Sequence, residues 1–483
     1  MSTVRSIAKN VAALGIAQVV SMGLSLVLVI FIARFIGDVG FGKLGFAQSF
    51  VAILVVFADI GMSQVIIREV ARRKELSSKY LGNVCLIKLV LSVITFGLIA
   101  LIINLMHYPP DTIIVVYLIG ISSILGSLGG ALRAIFRAFE RMEFEAFISI
   151  GITIVTTGVG IAVLFAGYGL IGICLVYLFV AVVNLLVTLL VVITKFTRFK
   201  LEVDFKFWKQ IILMALPFSV TAIIGLIYFQ IDMVMLSVMK GDAVTGWYKA
   251  ATTLIYSLLF IPNILSSAIF PVMSRFYVSS REALRTLAKK SAKYLFILGL
   301  PIAIGTILLA DRIIPLFYGE GFSNSIIALQ ILSLYLPLRF INHVTAYTLA
   351  SINKQPLAAL VTVTAAAANV GLNLFLIAQY SLMGAAIATV MTEVIGFILR
   401  YYFVAKHFHR LELRPILLKP CLACLAMGVF VFYLKDIHLA PLIVTAAILY
   451  FGVLYIIKGF DREDKDIFKE LKKGILRQNE IAA

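Results

Sequence analysis

Charge is scarce in this chain. Asp, Glu, Lys and Arg make up 14% of 483 residues, hydrophobic residues 62%, and the mean hydropathy is +1.06. A soluble domain needs more charge than that to keep its surface in water, which leaves a polytopic membrane protein. Carboxylates are scarcest, with 24 Asp and Glu against 42 Lys and Arg. No acidic cluster outside the apolar runs is suited to a glycosyltransferase metal. The four cysteines, Cys85, Cys174, Cys421 and Cys424, lie inside or at the edge of apolar runs and form no disulfide framework. Cys421 and Cys424, which follow His407 and His409, fit no common zinc spacing. A Walker A sequence is missing, so ATP is not the direct energy source, and so is a Gly-x-Ser-x-Gly nucleophile elbow. The longest plainly hydrophilic stretch, Asp461 to Ala483, has no room for a soluble catalytic domain. An enzyme is not expected.

What the chain does have is about fourteen apolar runs, each long enough to cross a bilayer as a helix. The first follows Arg5 and Lys9 and continues to Ala33, too long for a cleaved signal peptide. An even number of spans puts both termini on one side. The even-numbered connections hold most of the basic residues, among them Arg68, Arg72, Arg73, Lys74, Arg137, Arg141, Arg285, Lys289 and Lys290. The odd-numbered ones hold only Arg34, Lys43, Lys240, Lys249, Arg312 and Lys435. That asymmetry places both termini in the cytoplasm. The basic excess faces anionic lipid headgroups and calls for no nucleic acid.

Two short patterns recur in the same order. Gly37-Asp-Val-Gly-Phe-Gly42 returns as Gly241-Asp-Ala-Val-Thr-Gly246, and Tyr168-Gly-Leu-Ile-Gly172 returns as Tyr380-Ser-Leu-Met-Gly384. Nearly equal offsets point to a duplication of six spans, in parallel because six is even. The expected organisation is a six-helix lobe over 1–200, a second over 201–408, two further spans over 409–460 and a cytoplasmic tail over 461–483. The tail reads either as an amphipathic helix or as a solvated charged segment. Spans of the first repeat hold no proline, whereas Pro217, Pro262, Pro301 and Pro337 lie in those of the second. Proline removes a helical hydrogen bond, so the second bundle is expected to bend and the first to be stiffer.

Five ionisable residues fall inside runs: Asp59, Lys88, Asp232, Arg339 and Glu393. At about 1.5 Å per residue, Arg339 and Glu393 come near mid-membrane, Asp59 and Lys88 toward the cytoplasm, and Asp232 in the outer leaflet. A guanidinium at such depth costs roughly 2.5 to 3.5 kcal/mol on insertion scales. Two readings explain the charges. In one, cations in a wet cavity hold an anionic group, while Asp59, Glu393 and Asp232 bind or gate a coupling cation. In the other, the charges neutralise one another, Arg339 with Glu393 or Asp59 with Lys88. His343 follows Arg339 by one turn on the same face, either as a protonatable neighbour or as a simple hydrogen-bond donor.

Further residues carry a family likeness. Ala33-Arg-Phe-Ile-Gly37, Phe41-Gly42, Asp59-Ile-Gly61 and Arg68-Glu-Val-Ala-Arg72 resemble the opening of the polysaccharide transporter family, the Wzx-type oligosaccharide flippases of the MOP (MATE-like) exporter superfamily. Leu216-Pro217, Asp232-x-x-x-Leu236, Phe270-Pro271, Leu316-Phe-Tyr-Gly319 and Leu336-Pro-Leu-Arg339 extend the likeness over the second repeat. The resemblance implies an all-α membrane fold with two six-helix lobes in a V, a cationic central cavity and alternating access. It implies as cargo a lipid-linked oligosaccharide, flipped to the outer leaflet of the cell membrane for glycan biosynthesis. The diphosphate would sit in the cavity and the polyprenyl tail in the bilayer. Arg339 and Lys88 at depth, with Arg34 and Arg133 near span ends, would be its cations. Arginine suits phosphate because its fork donates two parallel hydrogen bonds. No cofactor is implied beyond a coupling H+ or Na+. The expected partners are the lipid-linked substrate, membrane lipids and other glycan-assembly membrane proteins.

A MATE-type multidrug exporter shares this architecture. It would want an acidic or apolar cavity, which Asp59 and Glu393 favour and Arg339 and Lys88 oppose. A membrane glycan polymerase would need larger outside loops than these connections provide.

Overall fold

Inside hydrocarbon every backbone N–H and C=O must be satisfied within the protein, and a helix does this within one segment. The computed structural model describes residues 2–197, 203–410, 412–460 and 464, and among these it contains helices and no strand. In chain order they are α1 (Ser2–Asp59), α2 (Met62–Arg72), α3 (Ser77–Leu105), α4 (Pro110–Ala138), α5 (Met142–Phe165), α6 (Gly169–Lys195), α7 (Phe205–Lys240) and α8 (Asp242–Ser257). There follow α9 (Phe260–Ser279), α10 (Arg281–Tyr318), α11 (Ser325–Ser333), α12 (Tyr335–Ser351), α13 (Gln355–His407), α14 (Leu413–Tyr433) and α15 (Leu439–Ile456). The expected lobe boundary at 200/201 lies outside the described residues, as does the tail 461–483 apart from Asp464.

Among the described residues, twelve segments are long and apolar enough to cross a membrane. Two of them are too long for one crossing. Helix α1 has 58 residues and α13 has 53. At about 1.5 Å per residue, each exceeds twice a hydrocarbon core of about 30 Å. Both are interrupted, α1 at Gly37 (φ 70°, ψ −178°) and α13 at Ser381 (φ 53°, ψ −130°). Each supplies two crossings, and the total agrees with the roughly fourteen apolar runs.

The repeated sequences adopt repeated conformations. Gly241, which opens the second G-D-x-x-x-G copy, has φ 84° and ψ −177°, close to the values at Gly37. Only glycine enters that region readily. Gly169 and Ser381, equivalent positions of the other pattern, have φ 57° and 53°. The first two copies also meet. A Cβ on Gly42 would stand 1.8 Å from the Asp242 carbonyl oxygen, and one on Gly246 would stand 2.0 Å from that of Asp38. Such reciprocity is what a two-fold relation demands.

Two of the four prolines act differently from expectation, while Pro217 and Pro301 lie inside α7 and α10 as expected. Pro337 and Pro262 are the third residues of α12 and α9, each just after a break in the helical run. In a first turn the backbone N–H has no helical acceptor, so proline costs little there. The helix therefore stops upstream of the proline instead of kinking at it. The first repeat breaks without proline, at Ile60 (φ 44°) and Gly61 (φ 74°), which separate α1 from α2 directly after Asp59. The first repeat is thus interrupted as well, through left-handed backbone.

The helices gather into two compact units. One comprises Met1–Ile264, Ile314–Ala328 and Ala359–Gly396. Its core joins Met62 and Ile66 of α2 to Val84 of α3, Leu132 and Ile135 of α4, and Ile211 of α7. The other comprises Leu265–Ile313, Leu329–Ala358 and Phe397–Ala483. In it Ile297 and Leu309 of α10 pack on Met427 and Val431 of α14 and on Tyr450 of α15. The Tyr450 hydroxyl donates to the Ile297 carbonyl at 2.9 Å. Lipid is as apolar as these side chains, so close packing and such polar contacts hold the helices together.

Candidate functional site

Arg133 and Arg137 lie one turn apart near the end of α4. Arg137 donates through Nε and Nη2 to the Glu145 carboxylate at 2.9 and 2.6 Å, a bidentate pair that joins α4 to the first turn of α5. Glu145 cancels one guanidinium, and Arg133 leaves the site net positive. These groups line a cavity of about 470 Å³ with Gln18 of α1, Ser149 of α5 and Asn184 of α6. The volume is in the range of small-ligand sites. A guanidinium fork with amide and hydroxyl groups around it is equipped to hold an oxyanion.

Lys88 is fully buried, and its Nζ donates to Asp59 Oδ1 at 2.6 Å and to the Ser127 carbonyl at 2.5 Å. Ser63 donates to the same Asp59 oxygen at 2.7 Å. The break at Ile60–Gly61 brings Asp59 and Ser63 together on either side of it. Of the two readings of these charges, the geometry realises the Asp59–Lys88 ion pair.

Asp232 of α7 is 4% exposed and is ringed by uncharged donors. Its Oδ2 accepts from Tyr248 at 2.9 Å and from Thr389 at 2.6 Å, and its Oδ1 accepts from Asn373 at 2.6 Å. Asn373 also donates to Asn369 at 3.0 Å. The buried Oδ1 of Asn373 has no hydrogen-bond partner among the described residues. Carboxylate, amide and hydroxyl groups thus converge from α7, α8 and α13.

The other expected residues are dispersed. Arg34 donates from Nε to the Phe317 carbonyl at 2.8 Å and from Nη2 to that of Leu316, so it caps the end of α10. Glu393, fully buried, accepts from the Tyr228 hydroxyl at 2.7 Å. Arg339 is half-buried in the second unit, its guanidinium 6.0 Å from the Tyr335 ring centroid. Lys249 sits two turns inside α8, where its Nζ donates to Gln48 of α1 at 3.0 Å.

The family model described as polysaccharide biosynthesis protein matches residues 7–277, more than half of the chain. The chain belongs to the polysaccharide biosynthesis protein family. A MatE model matches 217–375 of this family member. A Haloferax volcanii relative, named "Probable low-salt glycan biosynthesis flippase Agl15", is 22% identical over 83% of this chain and 84% of its own. Among solved structures, the lipid II flippase MurJ in an inward closed conformation superposes with a TM-score of 0.76. It is 19% identical and covers 92% of this chain and 98% of its own. An inward-facing multidrug resistance MATE transporter of the MOP superfamily superposes at 0.59, with 17% identity, covering 80% and 95%. The fold is the all-α membrane fold of the MOP superfamily.

Several site residues of this polysaccharide biosynthesis family member escape sequence reasoning. Tyr248, Asn369, Asn373 and Thr389 are uncharged, and nothing in an apolar run flags them. The only available signal is helical spacing, since Asn369 and Asn373 are four residues apart and share a face. Lys249 reads as a loop residue because it borders its run, whereas α8 begins at Asp242.

Proposed function

We propose that this chain flips polyprenyl-diphosphate-linked oligosaccharides from the cytoplasmic to the outer leaflet of the cell membrane by alternating access, with both termini in the cytoplasm. The observation that carries the reading is the net-positive Arg133 cavity within the spans of a polysaccharide biosynthesis family member. A diphosphate cannot cross hydrocarbon bare, and a guanidinium with amide donors replaces its water. The Lys and Arg asymmetry supports the topology, which puts Arg133 at the cytoplasmic end of α4, where cargo enters. Arg339, beside the α11–α12 break, is a further cation for the headgroup. Lys88 and Arg34 act indirectly, one through its pair with Asp59 and the other by bracing α10.

Asp232 is our candidate for the coupling site. Its buried carboxylate, held by the Tyr248 and Thr389 hydroxyls and the Asn373 amide with no cation among these partners, is suited to take up a proton or a sodium ion. Asp59 and Glu393 have closer tasks in holding Lys88 and Tyr228.

The test is reconstitution into liposomes with a labelled polyprenyl-diphosphate oligosaccharide, timing the appearance of sugar on the opposite face. Arg133→Gln should slow translocation roughly ten- to a hundredfold, the worth of a charge-assisted hydrogen bond. Arg339→Glu should abolish it and Arg339→Lys preserve it. Asp232→Asn should remove dependence on sodium or pH. Unchanged movement in both Arg133→Gln and Arg339→Glu would take the cations out of the pathway. The MatE match keeps drug export as a second reading. Ethidium efflux without sugar translocation would favour it.

A further inference from the structure

We propose that a second, uncharged cavity adjoining the Arg133 cavity is a glycan subsite that sets which sugar the protein accepts. The proposal rests on the flippase reading above. This cavity measures about 310 Å³ and is lined by Gln48 of α1, Ser122, Ser123 and Gly126 of α4, and Tyr177 and Asn184 of α6. Asn184 lines both cavities, so the two are neighbours.

Their linings differ in kind. Ser122, Gly126, Arg133 and Arg137 follow at spacings of four, seven and four, on one face of α4. Along that face, over about 16 Å from Ser122 to Arg133, hydroxyl groups give way to bare backbone and then to guanidinium. None of the residues lining the second cavity is charged. No cation lines the cavity, and the Lys249 ammonium beside it is taken up by Gln48, so the phosphate end of the cargo is better met by Arg133. Hydroxyl and amide groups, each donor and acceptor at once, match the hydroxyls of a sugar, and the Tyr177 ring offers an apolar face. The order of linings along α4 thus repeats the order of the cargo, sugar and then phosphate.

The polar groups are held in place. Thr188 donates to Asn184 Oδ1 at 3.3 Å, and Lys249 donates to Gln48 Oε1 at 3.0 Å. Such fixing lets a lining discriminate, because a sugar that fails to match leaves buried groups unsatisfied.

Gly126 provides the sharpest test, since a Cβ built there meets no atom within 4 Å. Gly126→Leu would fill the cavity from inside a helix where leucine is the better helix former, so the variant should fold. The measurement is binding by the purified full chain of polyprenyl diphosphate, bare and carrying one N-acetylglucosamine. Wild-type protein is expected to prefer the sugar-bearing lipid. Gly126→Leu should erase that preference, and Ser123→Val and Tyr177→Phe should each reduce it roughly five- to tenfold, the worth of one hydrogen bond. Arg133→Gln should weaken both lipids together and leave the preference in place. If Gly126→Leu weakens both lipids equally or neither, or if wild type shows no preference, the subsite is refuted while the flippase reading stands. If wild type binds neither lipid, the flippase reading falls with it.

Discussion

Lys88 shows at residue scale why a buried charge survives in these spans. Its ammonium meets one carboxylate and one carbonyl within 2.6 Å, and Asp59 in turn holds Ser63. Removing a single partner of such a pair leaves an uncompensated charge, which costs about 3–5 kcal/mol. Asp59 is 30% exposed, so the hydration it keeps should hold the loss for Lys88→Met near the lower end, about 3 kcal/mol. The double variant Lys88→Met with Asp59→Asn should be more stable than Lys88→Met alone, as read from thermal unfolding in detergent. Additive losses would mean that the two side chains act independently. This pair was half legible in the sequence, which placed both charges at similar depth and left open whether they pair. The Asp232 cluster was legible only in its carboxylate. Its partners are uncharged, and Asn373 and Thr389 lie 141 and 157 residues further along, where one-dimensional reading cannot bring them to Asp232.

Among the elements, the breaks matter more than the helices. Apolar length announces each helix, while a break needs a residue that tolerates unusual backbone, and only some such residues announce themselves. The G-D-x-x-x-G copies did so, through two glycines whose roles the structure separates. The first supplies positive φ, and the last allows α1 and α8 to touch backbone to backbone. Ser381 gave no such signal, because serine is not a recognised breaker. Its left-handed conformation shows only against Gly169 in the other copy. At the contact between copies, Gly246→Ala would put a methyl 2.0 Å from the Asp38 carbonyl oxygen, where neither backbone can yield alone. Overpacking of this kind costs about 1–3 kcal/mol. Gly97→Ala on α3, whose Cβ would meet nothing within 4 Å, should be neutral or stabilising by up to about 1 kcal/mol. Unfolding temperatures of the two variants compare a helix contact with a helix surface. A Gly246→Ala protein as stable as Gly97→Ala would show that α1 and α8 are free to separate at little cost.

The whole molecule carries a net charge of +18, and in the proposed function its cargo is an anion leaving a cytoplasm that is electrically negative. The field favours outward movement of each negative charge by about 2.3 kcal/mol per 100 mV. A return step that carries a cation inward on Asp232 would be driven by the same field, so cargo transfer and reset both gain from one polarity. Proteoliposomes with a potassium diffusion potential of about 100 mV, negative on the side corresponding to the cytoplasm, should therefore transfer labelled sugar faster than unpolarised ones. Reversing the potential should slow transfer. Replacing sodium by choline at alkaline pH should shrink the acceleration if the return step limits turnover, and Asp232→Asn should shrink it equally. If Arg133 and Arg339 instead travelled across the field with the diphosphate, their charge would cancel that of the cargo. A single round of transfer would then ignore both polarities, and the voltage dependence would move to the return of the empty, positively charged carrier.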